Sequence, residues 1–392
     1  MKNYKQLWIV MPFMVTIFGI GTLNLLSKDK AESQTENRTL QQAPGLENIV
    51  NKNYSTIYEN YYTDQFIGRD KLLKLYTKLE IISNKSTVRD HYIIDNEWIM
   101  PRKVKKQDDV TITATANKLS EYSKQISKEG RDIYYVSTPC KSQALDHIYP
   151  KYAEEGFVLE NVSKFGYRLD KRYINFINID KYFNENFSEK EKENMYFKTD
   201  HHWNGIGGFE GFKYVINNMN VLNKDNKKLL EDDNFIRINK TDKNFIGSYN
   251  RNLFYIFSKK ENIPYIYSKN SKKYKYFNDD GNGYQPIDGD LLISTEKDFS
   301  DTTYGGSYTN DIPLYKVINE DAPIDKKIMI IRDSYQAPTT LLFADLFKSV
   351  EILDPRNTVD ITPSKAIEKY NPDIVMFMFN SETYNYMVDM IK

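Results

Sequence analysis

The clearest pattern in the chain lies near its C-terminus. Residues 327–379 read KIMIIRDSYQAPTTLLFADLFKSVEILDPRNTVDITPSKAIEKYNPDIVMFMF. Short apolar runs at 327–331, 350–353 and 373–379 alternate with segments of helical character near 337–347 and 362–370. Short, largely apolar strands that are separated by helices indicate a parallel sheet covered on both faces. The stretch therefore predicts an α/β fold.

The same pattern continues upstream with less regularity. Residues 132–137 and 173–179 are rich in β-branched and aromatic residues and predict two more strands. Residues 53–82, interrupted at Gly68, and residues 113–128 have helical periodicity, and a Glu/Lys-rich helix is expected from Ser188. In residues 225–325 the apolar residues show no clear helical or strand periodicity, so we expect an insertion of irregular or β structure there.

A candidate nucleophile follows the first of the C-terminal strands. Arg332-Asp333-Ser334-Tyr335 comes directly after the apolar run, and ligands in α/β sheets gather at the carboxyl ends of the strands. At such a strand-to-helix junction a serine hydroxyl can stand exposed while its backbone N–H faces an oxyanion. An isolated Asp-Ser is weak support, because it is also a common helix cap.

A candidate base lies in Thr199-Asp200-His201-His202-Trp203. An Asp two residues before a His can accept from the imidazole Nδ1 and leave Nε2 free as a general base. Asp200, His202 and Ser334 would then form a catalytic triad if the fold brings them together. A metal site from Asp200, His201 and His202 is the less favoured alternative, because adjacent histidines rarely point at one ion and the sequence has no second ligand cluster.

The N-terminus predicts a membrane anchor. Residues 7–26 are uncharged and of bilayer-spanning length, behind Lys2 and Lys5. The run ends without a small-x-small cleavage site, which favours an uncleaved anchor over a signal peptide. We expect an anchor at 1–26, a juxtamembrane linker at 27–52 and a catalytic domain at 53–392, in which the 225–325 insertion lies.

Composition excludes several classes of protein. Of 392 residues, 40% are hydrophobic and 28% charged, which is a globular balance. Lys plus Arg equals Asp plus Glu at 54 each, so no net charge favours nucleic acid. Cys140 is the single cysteine, which excludes an intramolecular disulfide and a cysteine-rich metal site. We expect it to be a buried structural residue.

The motifs together resemble a known family. Thr-Asp-His-His-Trp is similar to the motif of the bacterial DHHW proteins, which are related to the alginate O-acetyltransferases and belong to the SGNH-hydrolase superfamily. Further similar segments, in the family's order, are Glu36-Asn37-Arg38-Thr39-Leu40, residues 61–70, Thr138-Pro139-Cys140-Lys141, Arg332-Asp333-Ser334-Tyr335 and residues 371–375. The resemblance implies an SGNH-hydrolase-like parallel sheet sandwiched by helices, with the Asp-x-His before the serine, a permuted motif order.

The resemblance also implies residue roles. It makes Ser334 the nucleophile, His202 the base and Asp200 the residue that orients it, with no metal and no cofactor. Gly247 and Asn380 are candidate oxyanion donors, although Arg332 stands where the family often has glycine. Trp203, Tyr335 and Lys141 are candidate substrate contacts, and Trp203 could instead pack behind the His202 loop.

The implied function is O-acetylation of a secreted or cell-surface polysaccharide by an extracytoplasmic, single-pass enzyme. A membrane-bound O-acyltransferase would be the acetyl-donor partner, because acetyl-CoA is not available outside the cell. An acetylesterase with the same triad and a noncatalytic glycan-binding scaffold are the alternatives, and D-alanyl transfer to teichoic acid is a less favoured one. A scaffold has no chemical need for the three triad residues.

Overall fold

The structure, a computed structural model, divides into two compact units, residues 1–89 with 250–258 and residues 90–249 with 259–392. It describes residues 4–33, 35–36, 38–50, 53–95, 97–222, 226–240, 244–245, 247–258, 261–269, 274–280, 282–289, 301–310, 312–357 and 361–391. Parts of the predicted linker and of the predicted insertion therefore lie outside the described residues. The predicted domain boundaries stay predictions.

The first unit is mainly helical. Its elements are helices α1 (Tyr4–Leu26), α2 (Leu46–Val50), α3 (Tyr54–Gln65) and α4 (Arg69–Ile82), and short strands β1 (Glu32–Ser33) and β2 (Arg38–Thr39). The predicted helical segment at 53–82 is present as α3 and α4. Gly68 separates them with a φ of +74°, a backbone conformation that favours glycine.

One helix of this unit has the length and composition of a membrane span. Trp8–Leu26 has a mean hydropathy of 2.0 and none of it is buried. This agrees with the anchor predicted at 7–26, and a signal sequence would pass the same test.

The second unit is an α/β domain. Its helices are α5 (Asp109–Ile126), α6 (Lys141–Ala144), α7 (Val158–Arg168), α8 (Ile179–Asn186), α9 (Glu189–Asn194), α10 (Gly205–Asn218), α12 (Tyr304–Ser307), α13 (Thr340–Leu346), α14 (Pro363–Tyr370) and α15 (Tyr384–Met390), and α11 (Ser248–Asn252) spans the boundary between the two units. Short 3₁₀ helices lie at Asp146–Ile148, Asn226–Leu230, Asp232–Asn234 and Ser334–Thr339.

Most strands of this unit form one mixed sheet. The strands are β3 (His91–Ile94), β4 (Trp98–Pro101), β5 (Asp132–Thr138), β6 (Asn175–Asn178), β7 (Phe235–Lys240), β8 (Asn244–Phe245), β9 (Ile263–Ser268), β10 (Lys275–Asp279), β11 (Tyr284–Ile287), β12 (Asp301–Thr302), β13 (Leu314–Ile318), β14 (Ile324–Arg332), β15 (Phe347–Leu353) and β16 (Ile374–Asn380). Within the described residues, the large sheet has eight strands in the order β11-β10-β13-β15-β14-β16-β5-β6. Its β15-β14-β16-β5-β6 part is parallel, and the other three strands are antiparallel at one edge.

The parallel strands are buried because helices cover both faces of the sheet. On β14, Ile328 and Ile330 pack in one core, and Met329 and Ile331 pack in the other. All residues of β16 are buried. This is the arrangement predicted from the apolar runs, and the predicted α/β class with a mostly parallel sheet between helices is confirmed.

Residues 225–325, which lack a clear hydrophobic periodicity, contribute strands to this sheet. β10, β11 and β13 all lie between residues 225 and 325 and pair antiparallel with one another or with β15. Part of the predicted insertion is therefore continuous with the central sheet.

A buried carboxylate in β15 gives a testable pH dependence. Glu351 is 3% exposed and lies opposite Lys316 of β13. Burial raises the pKa of Glu351 from 4.5 to about 7, against the opposing effect of Lys316 and Lys327. The folded state thus binds this proton more tightly than the unfolded state, so stability present below pH 4.5 is lost as the pH rises to about 7.

We therefore expect Glu351→Gln to raise the free energy of unfolding at pH 8 by about 1–3 kcal/mol and to flatten its decline between pH 4.5 and pH 7. Thermal unfolding of the full chain across this pH range measures both effects. Glu368→Gln, at an exposed position of α14, is the matched control. Identical pH profiles for Glu351→Gln and the unmodified chain would contradict the prediction.

Candidate active site

Ser334 lies at the junction between β14 and the 3₁₀ helix Ser334–Thr339. The preceding Asp333 fixes this junction, because its carboxylate accepts from Tyr335 N at 3.0 Å and from Asn380 N at 2.6 Å. Burial raises the pKa of Asp333, while the two backbone N–H groups and Arg356 oppose that rise. The Asp333 side chain therefore joins the carboxyl ends of β14 and β16 and leaves the neighbouring serine partly exposed.

The Asp-x-His motif lies in a tight loop before α10. Asn204 N donates to Met195 O at 2.7 Å, and Tyr196 forms an isolated antiparallel bridge with Trp203. Asn204 then caps α10, its side chain accepting from Ile206 N at 2.9 Å. These contacts hold the loop against the segment that precedes it and fix it at the start of α10.

The three predicted triad residues are joined by hydrogen bonds. The His202 Nε2 atom lies 2.6 Å from Ser334 Oγ, and His202 Nδ1 lies 2.6 Å from Asp200 Oδ1. His202 N also donates to Asp200 Oδ1 at 3.0 Å. A carboxylate on Nδ1 makes that nitrogen the N–H donor and leaves Nε2 able to accept the serine proton.

Asp200 is held as a carboxylate. Burial by itself would raise the pKa of Asp200, but the neighbouring His202 and His201 and the hydrogen bonds from His202 and Ser248 N hold it well below its usual value. Ser248 N donates to Asp200 Oδ2 at 2.6 Å, so both carboxylate oxygens are engaged. The carboxylate can therefore orient His202 and stabilise the imidazolium that forms when it takes a proton.

Two residues near the triad were not identified from the sequence. Tyr304 stacks flat on the His202 ring with a centroid distance of 3.7 Å and an interplanar angle of 4°. Ser248 supplies the second bond to Asp200 described above. Tyr304 and Ser248 lie in the region without a clear period, where no sequence signal marks them as neighbours of the histidine.

The two oxyanion candidates differ in their surroundings. A Cβ on Gly247 would lie 2.0 Å from Thr199 O, so this glycine permits the close approach that places Ser248 N on Asp200. Asn380 uses its backbone N on Asp333, and its Oδ1 accepts from Glu382 N at 2.9 Å. The side-chain NH₂ of Asn380 is then the group that could serve an oxyanion.

The predicted substrate contacts are buried. Trp203 is fully buried and its Nε1 donates to Tyr335 O at 2.7 Å, in agreement with the packing interpretation. Tyr335 is 2% exposed, and its hydroxyl donates to His201 O at 2.5 Å. Both side chains therefore connect the loop that carries His201 and His202 with the segment that follows Ser334.

Lys141 is also enclosed. Its Nζ donates to the carbonyl oxygens of Ile99, Lys198 and Asp200, each at 2.8 Å. A lysine ammonium has three N–H donors, so these bonds use all of them. Burial lowers the pKa of Lys141 to about 7, opposed by Glu261 and Asp200. Lys141 therefore helps to hold the loop that carries Asp200.

His201 lies on the outer side of the triad. Its Nδ1 is 2.8 Å from Ser248 Oγ, and its ring lies 3.6 Å from that of His202. Burial and the proximity of His202 lower the pKa of His201 to about 3. Ligand atoms of Asp200, His201 and His202 lie within 4.8 Å of one another, but His202 Nδ1 and Nε2 both have protein partners, so this set does not favour a metal site.

A separate cavity lies beside the same loop. It has a volume of about 620 Å³, and Thr199, Asn204 and Glu261 are among its lining residues. Asp200, His202 and Ser334 do not line it. This cavity is thus distinct from the space in front of the serine.

Comparison with known proteins supports the fold. Residues 95–228 match the family model described as the SGNH hydrolase-like domain of the acetyltransferase AlgX. Residues 95–228 are therefore similar to an SGNH hydrolase-like domain. The predicted resemblance is therefore confirmed, and the matched residues contain Asp200 and His202, whereas Ser334 lies outside them.

Solved structures with the same fold cover most of the chain. PatB1 of Bacillus cereus is 24% identical with a TM-score of 0.67, over 77% of this chain and 98% of that one. A second PatB1 structure, described with a sulfonyl adduct, is 22% identical with a TM-score of 0.66, over 76% of this chain and 98% of that one. A DHHW family protein of Eubacterium siraeum is 16% identical with a TM-score of 0.56, over 77% of this chain and 96% of that one. These likenesses show the fold, and no curated protein sequence matches the chain.

Proposed function

We propose that the chain is an extracytoplasmic O-acetyltransferase that acts on a secreted or cell-surface polysaccharide through an acyl-Ser334 intermediate. The observation that carries the proposal is the continuous set of hydrogen bonds from Ser334 through His202 to Asp200. The AlgX acetyltransferase model supports the reaction class. The apolar helix Trp8–Leu26 supports a single-pass anchor. The outward orientation of the catalytic domain follows from the proposed reaction on a secreted or cell-surface polysaccharide.

The acylation step follows from the geometry. Ser334 Oγ attacks the carbonyl carbon of an acetyl donor while its proton passes to His202 Nε2. Collapse of the tetrahedral intermediate breaks the bond between the carbonyl carbon and the donor oxygen, and that oxygen takes the proton from His202. The acetyl group is then an ester on Ser334.

The second half-reaction repeats these steps with a new nucleophile. A polysaccharide hydroxyl loses its proton to His202 Nε2 and attacks the Ser334 ester. Collapse returns the proton to Ser334 Oγ and releases the acetylated sugar. Ser334 N–H and the Asn380 amide are the proposed donors to the oxyanion, and Gly247 remains a less favoured one.

The acetyl donor is proposed to come from a membrane-bound O-acyltransferase. An anchored enzyme on the outer face has no access to acetyl-CoA, and a partner in the same membrane can pass the group across. An acetylesterase would use the same acyl-Ser334 and transfer it to water, so the two activities differ only in the acceptor.

An acceptor assay distinguishes the two activities. The full chain in detergent would be given p-nitrophenyl acetate with soluble β-linked glucan, amino-sugar or uronate oligosaccharides. We expect mass spectrometry to detect acetylated oligosaccharide, and the yield to rise with acceptor concentration while free acetate falls. Free acetate without any transfer, together with deacetylation of a pre-acetylated glycan, would support the esterase.

A further inference from the structure

Helix α4 has its apolar side turned outward. Its side chains Leu72, Leu75, Tyr76, Leu79 and Ile82 are between 54% and 75% exposed, and we call this set the α4 apolar face. At 100° per residue these five positions fall within one stripe about 120° wide. The buried positions of the same helix include Thr77 and Glu80, which are 0% and 8% exposed. Five large apolar side chains on one stripe mark a surface that contacts something apolar.

The start of α4 lies beside the end of the membrane-length helix. Ile67 N, two residues before α4, donates to Asn24 Oδ1 in the last turn of α1 at 2.8 Å. Lys30 Nζ lies 3.6 Å from Asp70 Oδ2 in the first turn of α4. If α1 spans a bilayer, these contacts place the beginning of α4 at the level of the lipid headgroups.

The residues that border the α4 apolar face are of types that are common at the level of the lipid headgroups. Lys71 and Lys78 are exposed and border the stripe on one side of the helix. Lysines beside an apolar stripe are typical of helices that lie in the membrane interface, because the ammonium reaches the phosphates while its stem covers apolar surface. On α3, Tyr54, Tyr58 and Tyr62 recur every four residues and are about 40% exposed, and tyrosine is enriched at membrane interfaces.

We infer that α4 binds the lipid surface of the membrane that α1 spans, with the α4 apolar face buried at the boundary between headgroups and acyl chains. This inference rests on the membrane location in the proposed function and is independent of the acyl-transfer chemistry. The first unit then has two attachments to the bilayer, a spanning helix and an interfacial helix.

Site-directed spin labelling of the full chain in phosphatidylethanolamine–phosphatidylglycerol vesicles tests the inference. Nitroxides would be placed at Leu79→Cys in the apolar face and at the adjacent Lys78→Cys as the matched control. Cys140 is fully buried and does not compete for the label. We expect collisions with oxygen relative to a water-soluble nickel complex to be several-fold higher at position 79 than at position 78.

Two outcomes would overturn the inference. Equal nickel accessibility at positions 78 and 79 would mean that the face remains in water, and shielding of position 79 from both reagents would mean that protein covers it. A label at Val15→Cys reports separately whether α1 lies in the bilayer. The Ser334→Ala variant should give the same labelling pattern, so failure of the acyl-transfer proposal and failure of this one are distinguishable.

Discussion

Replacement of Ser334 by alanine is expected to abolish release of p-nitrophenol from p-nitrophenyl acetate, with a fall in kcat of about 10⁴- to 10⁶-fold. The hydroxyl that lies 2.6 Å from His202 Nε2 is the proposed attacking atom. The same substitution should remove covalent labelling by a sulfonyl fluoride, a reagent class that reacts with activated hydroxyls. Intact-mass measurement of the labelled chain and its peptides detects the adduct on Ser334.

Histidine and aspartate variants test whether the three residues act as a unit. His202→Ala should lower kcat about as far as Ser334→Ala, because members of a triad are strongly non-additive. Asp200→Asn should cost about 10⁴-fold through the wrong tautomer of His202. His201→Ala should lower kcat less, because the His201 Nδ1 atom lies beside Ser248 Oγ, whereas the imidazole that contacts Ser334 is that of His202.

Matched controls are available elsewhere in the chain. His147→Ala removes a partly exposed histidine paired with Glu193, and Ser83→Ala removes an exposed hydroxyl from the end of α4. Both should retain full activity. Turnover or a sulfonyl adduct that survives Ser334→Ala would show that another residue is the nucleophile, and an inert unmodified chain that still binds glycan would favour the scaffold.

Replacement of Lys141 by methionine should have the largest effect on stability. Methionine keeps much of the volume but leaves the carbonyls of Ile99, Lys198 and Asp200 without their buried donor. Each unsatisfied buried carbonyl is costly, and we expect a loss of about 3–5 kcal/mol in the free energy of unfolding. Thermal unfolding of the full chain should shift down by about 10 °C, given the size of the domain.

Activity should fall together with stability in this variant. Lys141 holds the backbone of Asp200, so its loss should displace the carboxylate and reduce kcat at temperatures where the chain is still folded. Lys181→Met is the control, because that side chain is 64% exposed and makes a weak surface pair with Glu185. Unchanged thermal stability in Lys141→Met would contradict the positioning role.

The alternation of apolar runs and helical segments in the sequence determined the central part of the fold. The largely apolar runs around residues 327–379 are buried on both faces, as is typical of strands in a parallel sheet between helices. The segment boundaries agree with β14, β15, α14 and β16 to within a few residues. Between residues 225 and 325 the hydrophobic periodicity is weak, and the sequence did not show that β10, β11 and β13 extend the sheet. The side chains of β10 and β11 are mostly only partly buried, and β13 is mostly buried but short and interrupted by Lys316.

The residue types of the triad and the Asp-x-His motif were also visible in the sequence. Histidine is scarce in this chain, and a histidine two residues after an aspartate is a local pattern. Tertiary structure alone decided that Ser334 meets His202 across 132 positions of chain, because that contact depends on the sheet order and on the Asp200 loop. It likewise decided that Lys141 faces three carbonyls and that Tyr304 stacks on His202. Such contacts join distant segments through burial and geometry, for which a single sequence carries no local signal.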